Sequence, residues 1–177
     1  MGNNLQDFID EFNGGNRAHR YDVQMNWPAA AGGTDTSGTA LNRFFVRSVA
    51  LPASQINPIR IPYRGRVLKY PGDRIFYPWT FRVLDENKGA NRSIWNRFNK
   101  WSNGINDYTE NTHNDVWDNF TTDWTIQQTD AEGDVIKTAK LIDCWPTVIG
   151  PISLDSNAID TLVEFTVTVE YQWAEIT

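Results

Sequence analysis

The chain has a single cysteine, Cys144, in 177 residues. One thiol excludes an intrachain disulfide framework and a cysteine-based zinc cluster. Histidine is almost as scarce. His19 and His113 lie far apart in sequence and far from Cys144, so the spacing supports neither a metal site nor a nucleophile–base pair. No stretch approaches the ~18 apolar residues of a membrane span, and no apolar run follows a basic start, so no signal peptide is expected. Positive charge is outnumbered: 16 Lys and Arg against 22 Asp and Glu give a net charge of −6. So acidic a chain is a poor candidate for gripping nucleic acid, because phosphate binding needs clustered Lys and Arg. Its small, Gly/Thr-rich stretch at 28–40 lacks the Gly-Lys-Ser/Thr ending of a phosphate-binding loop. There is no internal repeat and no heptad pattern.

Carboxylates are plentiful but scattered at turns. Asp107, Glu110, Asp115 and Asp118 share one polar loop, yet the twelve-residue calcium-loop spacing is absent and a solvated loop is expected. A carboxylate pair for glycoside hydrolysis would meet only in the fold and leaves no sequence mark. Cys144 reads as a buried, inert thiol. The expectation is a non-enzyme with no metal and no cofactor.

What is present points to β structure. The chain is 40% hydrophobic and 13% aromatic, with 8 Trp, 6 Tyr and 9 Phe. Aromatic and β-branched residues suit pleated, half-buried surfaces. The length is that of one domain, 1–177. Residues 4–12 place Leu5, Phe8, Ile9 and Phe12 at helical spacing before Gly14 and Gly15. So short a helix must dock; its partner is either its own core or a neighbouring subunit, and 1–15 reads as an N-terminal arm. Residues 20–27 and 43–50 read as strands. Pro52, Pro58, Pro62 and Pro71 then punctuate an extended stretch with the basic segment IRIPYRGRVLKY at 59–70. Prolines confine such strands to edges or arms, so 51–74 is expected to project as a hairpin. Over 75–84 the residues Ile75, Tyr77, Trp79, Phe81 and Val83 fall on one face of a strand. Over 90–104, Ile94, Trp95, Phe98 and Trp101 form a helical stripe, with Arg92, Arg97 and Lys100 outside it and Asn103-Gly104 as the stop. A polar loop over 105–120 follows.

Residues 121–129 and 134–143 read as two strands around a turn at 130–134, and CWPTVIGP at 144–151 as a break. Val163, Phe165, Val167, Val169, Tyr171 and Trp173 alternate with polar residues as one long antiparallel strand. With roughly seven or eight strands and one or two helices, the fold class is mainly β. It is an antiparallel β-sandwich or partly open barrel with a flanking α-helix, plus a short N-terminal helix.

The run PGDRIFYPWTFRVLDENKGANRSIWNRFNKW at 71–101 resembles the tail tube proteins of contractile-tailed, T4-like bacteriophages, which share their fold with injection-system tube proteins. The matching features are Gly72-Asp73-Arg74, Phe76, Trp79, the acidic turn at Asp85, and the helix from Trp95 to Trp101. Ala50-Leu51-Pro52 precedes this block, and CWPTVIGPISLD at 144–155 with the alternating C-terminal strand follows it. The stretch 28–40 is longer than the family's usual first hairpin.

The resemblance implies a structural virion protein, assembled in the host bacterial cytoplasm. It implies hexameric rings that stack into a hollow tube around a continuous inner barrel, through which phage DNA passes without specific binding. Implied partners are the tail sheath protein, a baseplate tube initiator and a tape-measure protein in the lumen. The expected subunit contacts are Leu5, Phe8 and Phe12, and on the arm Ile56, Ile59, Ile61, Tyr63, Arg64, Arg66, Lys69, Asp73 and Arg74. The apolar members are expected to contribute most, since isolated surface ion pairs give only ~0–1 kcal/mol. Thr166, Thr168 and Glu170 are candidate lumen residues, with the hairpin at 121–143 an equal contender. The net negative charge either keeps DNA from adhering or serves solubility alone.

Two other readings stand beside this one. A tube-like baseplate or tail-terminating protein, or an injection-system tube, would share the fold. A monomeric carbohydrate-binding β-sandwich would instead stack sugars on exposed tryptophans, with Trp117 and Trp124 as candidates.

Overall fold

The computed structural model describes residues 5–12, 15–33, 45–86 and 93–177. In chain order these form helix α1 (Leu5–Phe12), strand β1 (Tyr21–Met25), a 3-10 turn (Ala29–Ala31), β2 (Val46–Ser48), β3 (Ser54–Tyr63), β4 (Arg66–Phe76) and β5 (Trp79–Leu84). Then come α2 (Ile94–Ile105), a one-turn helix α3 (Trp117–Phe120), β6 (Thr122–Thr129), β7 (Val135–Ile149), β8 (Glu164–Glu170) and β9 (Trp173–Ile176). The fold is mainly β. A curled antiparallel half-barrel runs β1-β6-β7-β8-β5-β2 with β9 also on β7, while β3 and β4 form a separate two-stranded ribbon.

Strand β7 gives the half-barrel its curl. Its first half pairs with β6 on one side and β9 on the other; its second half pairs with β8. Between the halves Asp143 takes φ 54, a left-handed conformation that turns the strand. The segment 144–151 is therefore not the break its prolines predict, since β7 continues through it to Ile149. Pro146 is tolerated because this half of β7 is an edge, with a register shift between Pro146 and Val148. The partner chain must break where β7 bends. β8 ends opposite Trp145, and Trp173 resumes opposite Ile142 as β9. The single strand predicted over 163–173 is thus two strands, with buried Tyr171 at the crossing.

Two further boundaries move. The strand predicted over 75–84 divides at Pro78, leaving Trp79, Phe81 and Val83 buried and Ile75 and Tyr77 exposed. The strand expected over 43–50 narrows to β2; residues 43 and 44 lie outside the described residues, as do Gly14, Arg92 and 34–40 of the Gly/Thr-rich stretch.

The core lies between the curled sheet and α2. Ser93 starts the helix by accepting the Asn96 amide at 3.3 Å, and its hydroxyl donates to Asp85 at 3.0 Å. Ile94, Phe98 and Trp101 are fully buried, while Trp95 sits half-buried at the rim. Gly104 is not the stop that sequence predicts, since α2 runs on to Ile105. A Cβ at Gly104 would come 2.7 Å from Ala30 Cβ, so the glycine lets the helix approach the 3-10 turn.

Trp27, Trp79, Trp101 and Trp124 pack in one cluster with Phe81 and Phe98, with edge contacts such as Trp27–Phe98 at 4.9 Å. Each such pair adds about 0.5–1.5 kcal/mol beyond area burial. Three of these rings also anchor their polar edges: the indole N–H groups of Trp79, Trp101 and Trp124 donate to the carbonyls of Ala50, Phe120 and Asn26.

Candidate functional site

The ribbon β3–β4 is an exposed apolar feature built on regular structure. Tyr63-Arg64-Gly65-Arg66 closes it, with Arg64 at φ 45 and Gly65 at φ 78. Two successive positive φ angles are the mirror-image turn whose twist matches paired strands. Every residue of β3 is exposed, and in β4 all but Gly72 and Phe76 are. Register then sorts the side chains. Ile59 lies opposite Tyr70, Ile61 opposite Leu68 and Tyr63 opposite Arg66, whereas Arg60 pairs with Lys69 on the other face. One face is apolar and tipped by Arg66; the reverse carries the two cations. Ile59, Leu68 and Tyr70 are 53%, 59% and 61% exposed. A two-stranded ribbon is at best marginally stable in water, and an apolar patch on this scale marks an interaction surface.

The root of the ribbon is closed by hydrogen bonds between its two legs. Tyr77 donates its backbone N–H to Ala53 O and its hydroxyl to Gln55 at 2.6 Å. Arg74 stands opposite Ile56 and donates to Ser54 Oγ at 2.9 Å, while Asp73 is exposed beside it. Arg64 lies over the Tyr63 ring at 5.3 Å. The arm candidates are therefore all at the surface but divided between two faces, a division that needs the register to be known. Leu68 and Tyr70 complete the apolar face and were missed as candidates. The turn at Arg64-Gly65 is the signal that pairs them with Ile61 and Ile59.

Helix α1 is the second apolar surface. Leu5, Phe8, Ile9 and Phe12 are all exposed, with Phe8 and Phe12 stacked at 5.3 Å. The helix does not bury its stripe in its own core. Gly15 ends it at φ 63, its N–H returning to Phe12 O.

A third surface is the segment between β7 and β8, where Leu154, Ile159 and Leu162 are 83%, 89% and 70% exposed. No periodicity marks these three in the sequence, and they too were missed.

Thr166, Thr168 and Glu170 lie on the face of β8 turned away from the core. Thr168 shares a hydrogen bond with Thr80 at 3.0 Å, Thr166 stands opposite Arg82, and Glu164 pairs with Arg47. This half of the sheet presents two cations and two anions on its polar face. On the other half Lys140 meets Asp123 at 2.8 Å, with Asp22 and Glu175 on the same face. The hydrogen bond and charge of Asp123 raise the Lys140 pKa.

Other candidates resolve simply. The Asp107 carboxylate accepts the amides of Glu110 and Thr109, which lower its pKa and make it a turn cap. Among the described residues no group of three or more His, Cys, Asp or Glu could hold a metal. Cys144 is buried, and desolvation raises its pKa well above the ordinary thiol value. Trp124, a candidate sugar platform, is fully buried, so it offers no face for stacking; Trp117 is partly exposed against Phe120. Among the described residues no helix is long and apolar enough to cross a membrane.

The tail tube protein of Serratia phage KSP90 is 29% identical over 157 residues, covering 88% of this chain and 85% of that protein. Among solved structures, the sheath–tube complex of an extracellular contractile injection system, PVC, matches with TM-score 0.62 at 15% identity, covering 99% of both chains. The PVC sheath/tube terminator matches with TM-score 0.63 at 16% identity, covering 91% of this chain and 95% of that one. The tube-terminating cap of the anti-feeding prophage gives 0.61 at 16% identity, covering 91% and 89%. At these identities the structural likeness is one of fold. The family model for phage tail tube proteins spans residues 16–175, and on that match the chain belongs to the phage tail tube protein family.

Proposed function

We propose that this chain is the repeating subunit of a hollow tail tube. Copies close side by side into a hexameric ring, and rings stack into the conduit through which phage DNA is delivered. The observation that carries this reading is the exposed ribbon β3–β4, whose apolar face is left uncovered within one subunit. Obligate assemblies bury roughly 2,000–5,000 Å² per interface, so α1 contributes as well, through Leu5, Phe8 and Phe12 on a neighbouring subunit.

The lumen is lined by the polar outer face of the half-barrel, including Thr166, Thr168 and Glu170. With Arg47 paired to Glu164, and Arg82 and Glu170 on the same face, that face offers DNA no run of cations. Transport is passive and the subunit is structural rather than catalytic. The tape-measure protein occupies the lumen during assembly, the sheath lies outside, and growth starts from a baseplate initiator. The product is a virion component, put together in the host cytoplasm.

Electron microscopy of the purified, concentrated chain tests this. Hollow tubes or six-fold rings are the expected result. Small particles that remain monomeric with and without a baseplate preparation would remove it. Binding only at the ends of preformed tubes would assign the chain to a tail-terminating role instead.

A further inference from the structure

Two exposed apolar surfaces are rooted at opposite ends of one strand pair. β5 and β8 run antiparallel, with Trp79 beside Val169 at one end and Leu84 beside Glu164 at the other. The ribbon β3–β4 joins β5 at the Trp79 end, through Tyr77 and Pro78. The segment between β7 and β8 enters at the Glu164 end. Six residues of strand, roughly 17–20 Å at 3.3–3.4 Å each, separate the two roots.

Their chemistry is complementary. Residues 153–162 are all exposed and carry Leu154, Ile159 and Leu162 together with Asp155 and Asp160, without a single Lys or Arg. The segment holds a local turn, with Asp155 accepting the Asn157 amide at 2.9 Å. The ribbon offers Ile59, Ile61, Leu68 and Tyr70 on one face, with Arg66 on that face near its tip and Arg64 in the turn. Across 54–76 it carries Arg60, Arg64, Arg66, Lys69 and Arg74 against Asp73 alone.

We infer that the apolar face of the ribbon docks on the 153–162 segment of a second copy of this chain, with Arg66 and Arg64 meeting Asp155 and Asp160. The inference rests on the tube reading and names the surfaces that join one ring to the next. Two different patches at opposite ends of one subunit make a heterologous contact, which repeats without closing and so builds an open stack. The apolar contacts supply most of the binding, while the charges fix register and exclude a ribbon-to-ribbon pairing of like sign.

Two experiments on the full chain test the pairing. In the first, Leu68→Cys and Ile159→Cys variants are prepared separately, mixed and oxidised. The expected result is a crosslinked dimer in the mixture that neither variant gives alone. In the second, stacking is followed by sedimentation and microscopy for Arg66→Asp, for Asp160→Arg and for the double exchange. Each single change is expected to weaken stacking about tenfold or more, and the double exchange to restore it. Far-ultraviolet circular dichroism of each variant shows that the body is folded. If wild-type stacks form, but the mixture gives no crosslink and the single variants stack normally, the pairing is wrong and the tube reading stands. If the wild-type chain forms neither rings nor stacks, even with a baseplate preparation, both fail together.

Discussion

Gly104 packs directly on Ala30: a Cβ added to the glycine would lie 2.7 Å from the alanine Cβ and 3.1 Å from its carbonyl oxygen. This contact seats α2 on the 3-10 turn and closes one side of the tryptophan cluster. In an exposed helix, Gly→Ala gains roughly 0.5–1 kcal/mol. Here Gly104→Ala should lose about 1–2 kcal/mol instead, because overpacking costs about 1–3 kcal/mol. The midpoint of urea unfolding gives the sign directly, and a stabilised variant would mean the helix and turn are not in contact.

Burial ranks the tryptophans of α2. Trp101 is fully buried with its indole N–H on Phe120 O, whereas Trp95 lies half-buried at the rim. Trp101→Ala should cost about 3–5 kcal/mol, and Trp95→Ala less than half of that. Equal losses in chemical denaturation would contradict the orientation of the helix.

The ribbon turn separates folding from assembly. Gly65 sits at φ 78 with open space around it, so Gly65→Val strains the turn without touching the core. The melting temperature of the dispersed subunit should stay within about 2 °C of wild type, since the ribbon lies outside the cooperative core. Ring or tube formation should fall sharply. A variant that assembles normally would exclude the ribbon as a contact.

Alkaline pH should destabilise the subunit. Burial raises the Cys144, Tyr171 and Tyr21 pKa values, and Asp123 raises that of Lys140. In each case the folded state holds its proton to higher pH than the unfolded chain. The stability they contribute is therefore complete below the unfolded values and is lost as pH rises above them. Cys144 acts first, from about pH 8.5, at about 1.4 kcal/mol per pH unit. Thermal melts across pH 7 to 10 should show the decline, and Cys144→Ala should delay its onset. A flat profile would mean that the thiol is not buried.

Much of the architecture is legible in the sequence, and the places where it is not share a cause. The alternation around Phe165, Val167 and Val169 gives β8 because one face is buried and the other is polar. The same alternation misleads at Trp173, which belongs to β9, because periodicity carries no mark of the bend in β7. That bend rests on Asp143, a non-glycine at positive φ, so no glycine announces it. Pro78 was legible as a proline but not as the point where exposed Ile75 and Tyr77 give way to the buried face of Trp79. At the candidate site, composition identified the arm as apolar and basic. Which residues share a face follows from pairing Ile61 with Leu68, a long-range fact. Leu154, Ile159 and Leu162 follow no period, so only their exposure in the fold distinguishes them.

The tryptophan cluster has a practical spectroscopic consequence. Trp124 lies 5.8 to 6.5 Å from the rings of Trp27, Trp79 and Trp101, close enough for their excited states to couple. Half of the eight tryptophans thus report on the core as one chromophore, whose near-ultraviolet dichroism collapses and whose emission shifts to longer wavelength together when the core opens. The ribbon, α1 and the 153–162 segment contain no tryptophan. Indole emission consequently tracks the integrity of the subunit with little response to contacts made through those surfaces, while tyrosine signals from Tyr63 and Tyr70 follow the ribbon. One cuvette can hold separate optical channels for folding and for polymerisation.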